Sequence, residues 1–377
     1  LDTASFSTIT LIDTEDRPSG LALSGDGNTL YITHFLSGQV SVIDLSTEQA
    51  YRPLVRKAAQ DSPRGKSIET QPQSPSAVMD APVTVIPLWP DSILVNSIVL
   101  SPDGSLAFIP NTRSNTSNPF LTFDTTVFPL VSMIDLATNT HLVGSQLDLA
   151  TLDPPGVGLP FDGATTPDGL ELWVLNAASN DITILDLVNR QLAAHIEVGD
   201  NPRGIVISPD GSTAYVNNTL AGTVSVIDTG AYTVTQVITT TQIPLPPLLL
   251  QGKRLFHSSD DPRMSNAQWI SCNTCHFEGE HDGRTWTFGF AGPRNTTSLL
   301  GMIETYPLRW SGEWDESADS EFANQKENFG SGLIEGELNC SLAPPDCVHQ
   351  PPNQGRSYDL DALAAFIDSL LIPISPN

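Results

Sequence analysis

The sequence predicts a multidomain chain in which an all-β part is followed by a mainly α part. Hairpin-forming segments recur through residues 1–241. Apolar residues near the C-terminus instead repeat with the period of an α-helix. Between them lies the run Cys272–His276, which brings two thiols and an imidazole together in five residues. These three observations give the fold class and point to where the chemistry lies.

Four copies of one turn motif define the all-β part. In each copy a Ser-x-Asp-Gly or Thr-x-Asp-Gly turn joins two β-rich runs, and a third strand ending in Ile-Asp or Leu-Asp follows. The turn glycines are Gly27, Gly104, Gly169 and Gly211, at intervals of 77, 65 and 42 residues. A unit of about forty residues with three or four strands is typical of a β-propeller blade. We therefore expect a partial propeller, with four hairpin blades and a fifth outer strand at Ile9–Asp13.

These repeats resemble the YVTN family of bacterial β-propellers, whose blades carry a similar "SPDG…YV.N…VSVID" string. The resemblance implies propeller blades over residues 1–241, with a surface insertion at 51–93. Propellers of this family usually have more blades than are visible here. We therefore expect the missing blades to lie upstream or on a separate polypeptide.

The run from Cys272 to His276 is a C-x-x-C-H motif, the attachment signature of a c-type haem. One helical turn places both sulfurs along the edge of the macrocycle, and the next residue supplies the proximal nitrogen to iron. The alternatives are a redox dithiol, half of a zinc site or a chance match. A zinc ribbon needs a second C-x-x-C, which the chain lacks, and no βαβ unit precedes the motif. The motif predicts one covalent haem c bound by Cys272, Cys275 and His276.

Helical segments flank this motif. Gly252–Phe256 follows the Pro-rich linker 242–250, and Tyr358–Leu371 carries an apolar helical face with acidic residues at its N-terminus. This layout over about residues 248–373 resembles the class I cytochrome c fold. The resemblance implies a mono-haem, mainly α cytochrome c domain over residues 251–377.

Motifs after the haem signature resemble a second family. The strings "DGR", "GPRNT.SLLG" and "W.GEWDE" between His281 and Glu316 are similar to the haem domains of the di-haem cytochrome c peroxidase and MauG superfamily. That resemblance implies haem-based redox chemistry.

The chain has one C-x-x-C-H motif, whereas the peroxidase pair needs two haems. We therefore expect an electron-transfer cytochrome with the propeller as its docking scaffold. The alternative is a haem-dependent oxidoreductase that uses an open haem site or the propeller face.

The sixth iron ligand is not fixed by the sequence. In many related fusions a methionine precedes a "GSGL" string, but here Asn328 and Phe329 occupy that position. Met302 is the first candidate, because a thioether gives an electron-transfer haem of high potential. His281 and His349 are the next candidates, and an open site walled by Phe329 is the last.

Two arginines are candidate partners for the haem propionates. Arg284 and Arg294 lie inside the motifs that carry the resemblance, and guanidinium groups pair well with carboxylates. The alternative for each is a salt bridge to a neighbouring acidic side chain. Trp286, Trp310 and Trp314 are expected to pack around the porphyrin.

Composition limits the partners and the compartment. A formal charge of −26 argues against nucleic acid and anionic membranes and is compatible with a basic redox partner. No apolar run reaches the length of a membrane span. Because this kind of haem attachment takes place outside the bacterial cytoplasm, we expect a periplasmic or extracellular protein. Cys340 and Cys347 close a short loop, as a disulfide or as two free thiols.

Overall fold

The computed structural model describes residues 10–46, 77–79, 83–119, 122, 125–152, 156–288, 292–342 and 345–372. Most of the predicted insertion 51–93 and Ile9 of the fifth outer strand lie outside these residues. The described chain is mostly β. Up to residue 239 its strands form four antiparallel sheets that follow one another in chain order.

The first sheet has the strand order β2-β3-β4-β6, and β1 and β5 form a short parallel pair. Strand β6 lies inside the predicted insertion and completes the sheet through its pairing with β4. The bounds of these strands are β1 (Thr10–Ile12), β2 (Pro18–Leu23), β3 (Thr29–His34), β4 (Gln39–Asp44), β5 (Ala77–Met79) and β6 (Val83–Pro87).

Two long strands, β9 and β10, form the centre of the second sheet, and four short strands pair with them. Its strands are β7 (Ser92–Ile93), β8 (Val99–Leu100), β9 (Leu106–Ser114), β10 (Val127–Asp135), β11 (Thr140–His141) and β12 (Leu147–Asp148). A single helical turn, α1 (Leu149–Leu152), leads towards the third sheet.

The third and fourth sheets are regular four-stranded meanders. The third consists of β13 (Pro160–Thr165), β14 (Glu171–Asn176), β15 (Asp181–Asp186) and β16 (Gln191–Glu197). The fourth consists of β17 (Pro202–Ile207), β18 (Thr213–Asn218), β19 (Thr223–Asp228) and β20 (Thr233–Thr239).

The predicted Asp-Gly turns are present in all four sheets. In each turn the hydroxyl of the first residue donates a hydrogen bond of 2.6 Å to the aspartate. The glycine that follows has a φ between 69° and 75°, a left-handed conformation that other residues adopt only with strain. Hydrogen bonds from Ser101 and Ser208 lower the pKa of Asp103 and Asp210 to about 2.

Consecutive sheets pack face to face. The first and second sheets share one buried apolar cluster, the second and third share another, and the third and fourth share a third. Four antiparallel sheets stacked in this order agree in part with the propeller prediction.

The predicted fold class is wrong in its second half, because no mainly α cytochrome c domain is present among the described residues. Helical structure after residue 246 consists of α2 (Pro247–His257), α3 (Cys272–Cys275), α4 (Tyr358–Asp368) and isolated single turns. Two short hairpins lie between them, formed by β21 (Thr285–Phe288), β22 (Gly292–Asn295), β23 (Ser341–Leu342) and β24 (Pro345–Asp346). The apolar helical period is confined to two segments of 11 residues, and Gly-, Pro- and Asn-rich sequence interrupts it elsewhere.

Helices α2 and α4 cross at very close range. A Cβ atom on Gly252 would lie 1.9 Å from the carbonyl oxygen of Ala362, so this crossing requires glycine. The rings of Phe256 and Phe366 pack with their centroids 5.3 Å apart. The side chain of Ser357 caps α4 by accepting a hydrogen bond of 3.0 Å from the amide of Leu360. Among the described helices, none has the length and apolar character needed to cross a membrane.

Candidate functional site

The helical turn α3 carries both thiols of the C-x-x-C-H motif. Ser271 and Thr274 form a capping box at its start, which stabilises the turn. Cys272 and Cys275 lie at the two ends of the turn, and neither forms a disulfide. Burial raises the pKa of Cys272 to about 12 and raises that of Cys275 as well, so both thiols are protonated at neutral pH.

His276 follows this turn as a neutral imidazole of fixed tautomer. Its Nδ1 atom donates a hydrogen bond of 2.9 Å to the carbonyl oxygen of Thr297. Burial lowers its pKa to about 4, which keeps the ring uncharged at neutral pH. Because Nδ1 carries the proton, Nε2 retains its lone pair and is the atom able to bind a metal.

These three side chains line one cavity of about 500 Å³. Helices α2, α3 and α4, strands β21 and β22 and residues 296–328 contribute to its lining. Its walls are largely apolar and aromatic, formed by Phe256, Ile270, Trp286, Leu299, Met302, Leu308, Trp310, Trp314 and Ile367. Apolar walls around a few placed polar groups are typical of a cofactor site.

Arg294 and Met302 line the same cavity, whereas Arg284 does not. The guanidinium of Arg284 donates to the carbonyl oxygens of Ser92 and Pro90, at 2.9 and 3.4 Å. Arg284 therefore anchors the segment that follows the C-x-x-C-H motif to the second sheet. Met302 begins a short helical turn and packs against the apolar cluster between α2 and α4.

The other candidates for the sixth ligand lie outside the cavity lining. The side chain of His281 accepts a hydrogen bond of 3.1 Å from the amide of Gly283. His349 is exposed and lies 2.7 Å from Asp346. Phe329 is 47% exposed, although its neighbour Asn328 lines the cavity.

The sequence analysis missed a charged group on the cavity wall. Arg309 donates a hydrogen bond of 2.6 Å to Glu327 and lies 4.0 Å from Glu313. Its guanidinium also stacks over the ring of Trp314, 4.7 Å from the ring centroid. Its position at the start of the "RW.GEW" string, directly before two tryptophans and a glutamate, is the sequence signal that could have indicated this role.

Three polar atoms of cavity-lining residues are buried without a hydrogen-bond partner among the described residues. These atoms are the Nε1 of Trp314, the Oγ of Ser320 and the Oε2 of Glu313, of which the first two can donate. A buried donor without a partner is costly, so a ligand with acceptor oxygens would satisfy it. Two thiols one turn apart, a neutral imidazole, apolar walls and unpaired donors together fit a haem with carboxylate side groups.

The segment after His276 is held by the sheets. Phe277 packs between Phe35 and Phe161, with centroid distances of 4.5 and 6.5 Å. Arg203 stacks over the ring of Phe161 and forms an ion pair with Glu278. Burial opposes ionisation of Glu278, but His257 and Arg203 outweigh it and hold its pKa at about 2.

The remaining cysteines form a disulfide between Cys340 and Cys347, as one of the two alternatives predicted. The carboxylate of Asp319 lies within 4.8 Å of both sulfurs. Sulfurs joined in a disulfide offer no thiolate to a metal, so this cluster is structural.

No protein-family model matches the chain. A curated relative is the cytochrome c551 peroxidase of Pseudomonas aeruginosa, which is 28% identical over 142 residues. The match covers 33% of this chain and 39% of that protein, so the chain spans well under half of the relative's length. Among solved structures, Kuenenia stuttgartiensis hydrazine synthase is similar with a TM-score of 0.38 and 19% identity, over 58% of this chain and 73% of that chain.

Proposed function

We propose that the chain binds one haem covalently, through thioethers to Cys272 and Cys275, and uses His276 as the proximal ligand. The observation that carries this proposal is that both thiols and the neutral imidazole line one apolar cavity. Similarity to a cytochrome c551 peroxidase over a third of the chain supports a redox role. Bound haem would supply a one-electron couple at its iron.

The chain's own residues would orient the bound haem and set the basicity of its histidine ligand. The hydrogen bond from His276 to Thr297 fixes the imidazole plane and raises the basicity of Nε2. Arg294, Arg309 and the indole N–H of Trp314 offer donors to haem carboxylates. Met302 is the proposed sixth ligand, because it lines the cavity and offers a sulfur, whereas His281 and His349 lie outside the cavity lining.

We propose electron transfer as the activity. Trp310 lines the cavity and is 59% exposed, so one edge of the site reaches the protein surface. Electrons would exchange with a partner at this edge. The charge of −26 favours a basic redox protein as that partner. The Cys340–Cys347 disulfide supports placement in the periplasm or outside the cell, where oxidising conditions preserve such bonds.

A haem-dependent oxidoreductase is the second candidate. The Arg309–Glu327 pair places a carboxylate and a guanidinium on the cavity wall. Such groups would bind a small polar substrate if the iron had an open position. A spectrum of the reduced protein with carbon monoxide separates the two activities. A Soret band that does not move supports electron transfer, and a shifted band supports the oxidoreductase.

Haem staining after denaturing electrophoresis tests attachment. The chain, produced with a periplasmic haem-attachment system, should give a stained band at about 40.5 kDa. Cys272→Ser combined with Cys275→Ser should abolish the stain. The matched control, Cys340→Ser with Cys347→Ser, should keep it because those sulfurs lie in the separate disulfide. An unstained wild-type band contradicts the proposal.

A further inference from the structure

The outer edge of the fourth sheet is an unpaired strand. Strand β20 (Thr233–Thr239) ends the strand order β17-β18-β19-β20, and no other strand among the described residues pairs with it. The amide of Thr240 donates a hydrogen bond of 2.9 Å to the carbonyl oxygen of Gly222, in register with the pairing of β19 and β20. Because inward and outward bonding alternate along an antiparallel strand, Val237 and Thr239 direct their amide and carbonyl groups away from β19.

This edge lacks the features that keep the other outer strands from pairing. In the first sheet β6 ends at Pro87, and in the third sheet β16 contains His195 and Glu197. The outer strands of the second sheet, β11 and β12, have two residues each. Proline, charge and short length all oppose edge-to-edge pairing, whereas β20 has seven residues, none of them proline or charged. The irregularity in its pairing lies near its start and leaves Gln236–Thr239 regular.

The strand is exposed and lies in an uncharged segment. Every residue from Thr235 to Gln242 is exposed, including Val237 at 58% and Ile238 at 41%. Residues 229–252 contain no Asp, Glu, Lys, Arg or His, although the whole chain carries a formal charge of −26. An exposed edge strand with apolar side chains and no charge is a template for pairing with another strand.

We propose that β20 pairs with β20 of a second copy of this chain, antiparallel and across a two-fold axis. Two copies that each carry a charge of −26 repel each other wherever their acidic surfaces meet, so they associate where the charge is absent. A basic partner gains no electrostatic attraction from this segment, which disfavours it as the occupant. Identical antiparallel strands satisfy each other's outward hydrogen bonds, and such an interface closes at two copies.

Analytical ultracentrifugation of the full chain tests the inference. The mass should approach twice the 40.5 kDa of one chain as protein concentration rises, and also as added salt screens the repulsion between the acidic surfaces. Val237→Lys places two ammonium groups side by side at the joined edge and should weaken dimerisation by about tenfold or more. The matched control is Val188→Lys, the same change of charge at a valine that is 70% exposed in the turn between β15 and β16. It should leave the dimer unchanged.

Amide hydrogen exchange resolved to single residues gives an independent measurement on the unsubstituted protein. The amides of Val237 and Thr239 should exchange more slowly as the dimer forms, whereas that of Ile238, which is directed towards β19, should not change. Three outcomes overturn the inference. These are a mass of one chain at every concentration and salt, a dimer that Val237→Lys weakens no more than Val188→Lys does, and exchange at Val237 and Thr239 that is independent of concentration. Neither measurement depends on whether the chain holds haem.

Discussion

Arg203 of the fourth sheet forms an ion pair with Glu278, which lies two residues after His276. The contact joins the sheet region directly to the segment that carries the proposed proximal ligand. Arg17, which directly precedes β2 of the first sheet, makes a second such contact, with Glu280. Both carboxylates belong to the turn that follows the C-x-x-C-H motif, so the sheets position this turn by charge as well as by the packing of Phe277.

We expect Arg203→Ala to lower the free energy of unfolding by about 1–2 kcal/mol. The substitution removes an ion pair and the stacking of the guanidinium over Phe161. Because the pKa of Glu278 in the folded protein is about 2, below its ordinary value, the stabilisation is present above about pH 4.5. It is lost as the pH falls through 2.

Urea unfolding between pH 3 and pH 7 checks this prediction. The matched control is Arg203→Lys, which keeps the charge and loses the planar stacking, so it should retain part of the stability. An Arg203→Ala protein as stable as the wild type at pH 7 would show that the ion pair does not hold the turn.

The local structure around the motifs was predictable because it depends on near neighbours. The Asp-Gly turns form as the sequence predicts, since a hydroxyl, a carboxylate and a glycine within four residues suffice for such a turn. Helix α4 also forms where the apolar period predicts it, with Leu360, Leu363 and Phe366 buried.

The cavity wall was harder to predict because it is assembled from loops without periodicity. Arg309 and Glu327 are 18 residues apart and meet through tertiary packing alone. Arg284 lies in a motif close to the haem signature, yet its guanidinium turns towards the second sheet. The assumption that two helices imply a mainly α domain failed because the loops between them contain many Gly and Pro residues.

Asp319 gives the protein a pH-dependent stability. Its side chain is buried, and burial raises its pKa to about 6 although Asn353 donates to it at 2.8 Å. The folded protein therefore holds this proton more tightly than the unfolded chain. Because of this difference, we expect the contribution of Asp319 to the free energy of unfolding to fall by about 1–3 kcal/mol as the pH rises from 4 to 6.

The measurement is urea unfolding from pH 4 to pH 7 for the wild type and for Asp319→Asn. The variant cannot ionise at this position, so its stability should fall less over the same interval. Asp315→Asn, at an exposed neighbour, controls for the loss of one carboxylate. Parallel stability curves for the wild type and Asp319→Asn would refute the assignment.

Met302 is the residue on which the proposed activity depends most. Its sulfur is the proposed sixth ligand, so Met302→Leu should convert a low-spin haem to a high-spin one and lower its potential, because a thioether favours ferrous iron.

Met264→Leu is the matched control, since Met264 is buried in the apolar cluster beside α2 and α4 and does not line the cavity. Both substitutions nearly conserve volume and should cost less than about 1.5 kcal/mol of stability. Absorption spectra and redox titration of the two variants give the answer. A low-spin spectrum unchanged in Met302→Leu would assign the ligand elsewhere, and a wild-type spectrum already high-spin would favour the oxidoreductase.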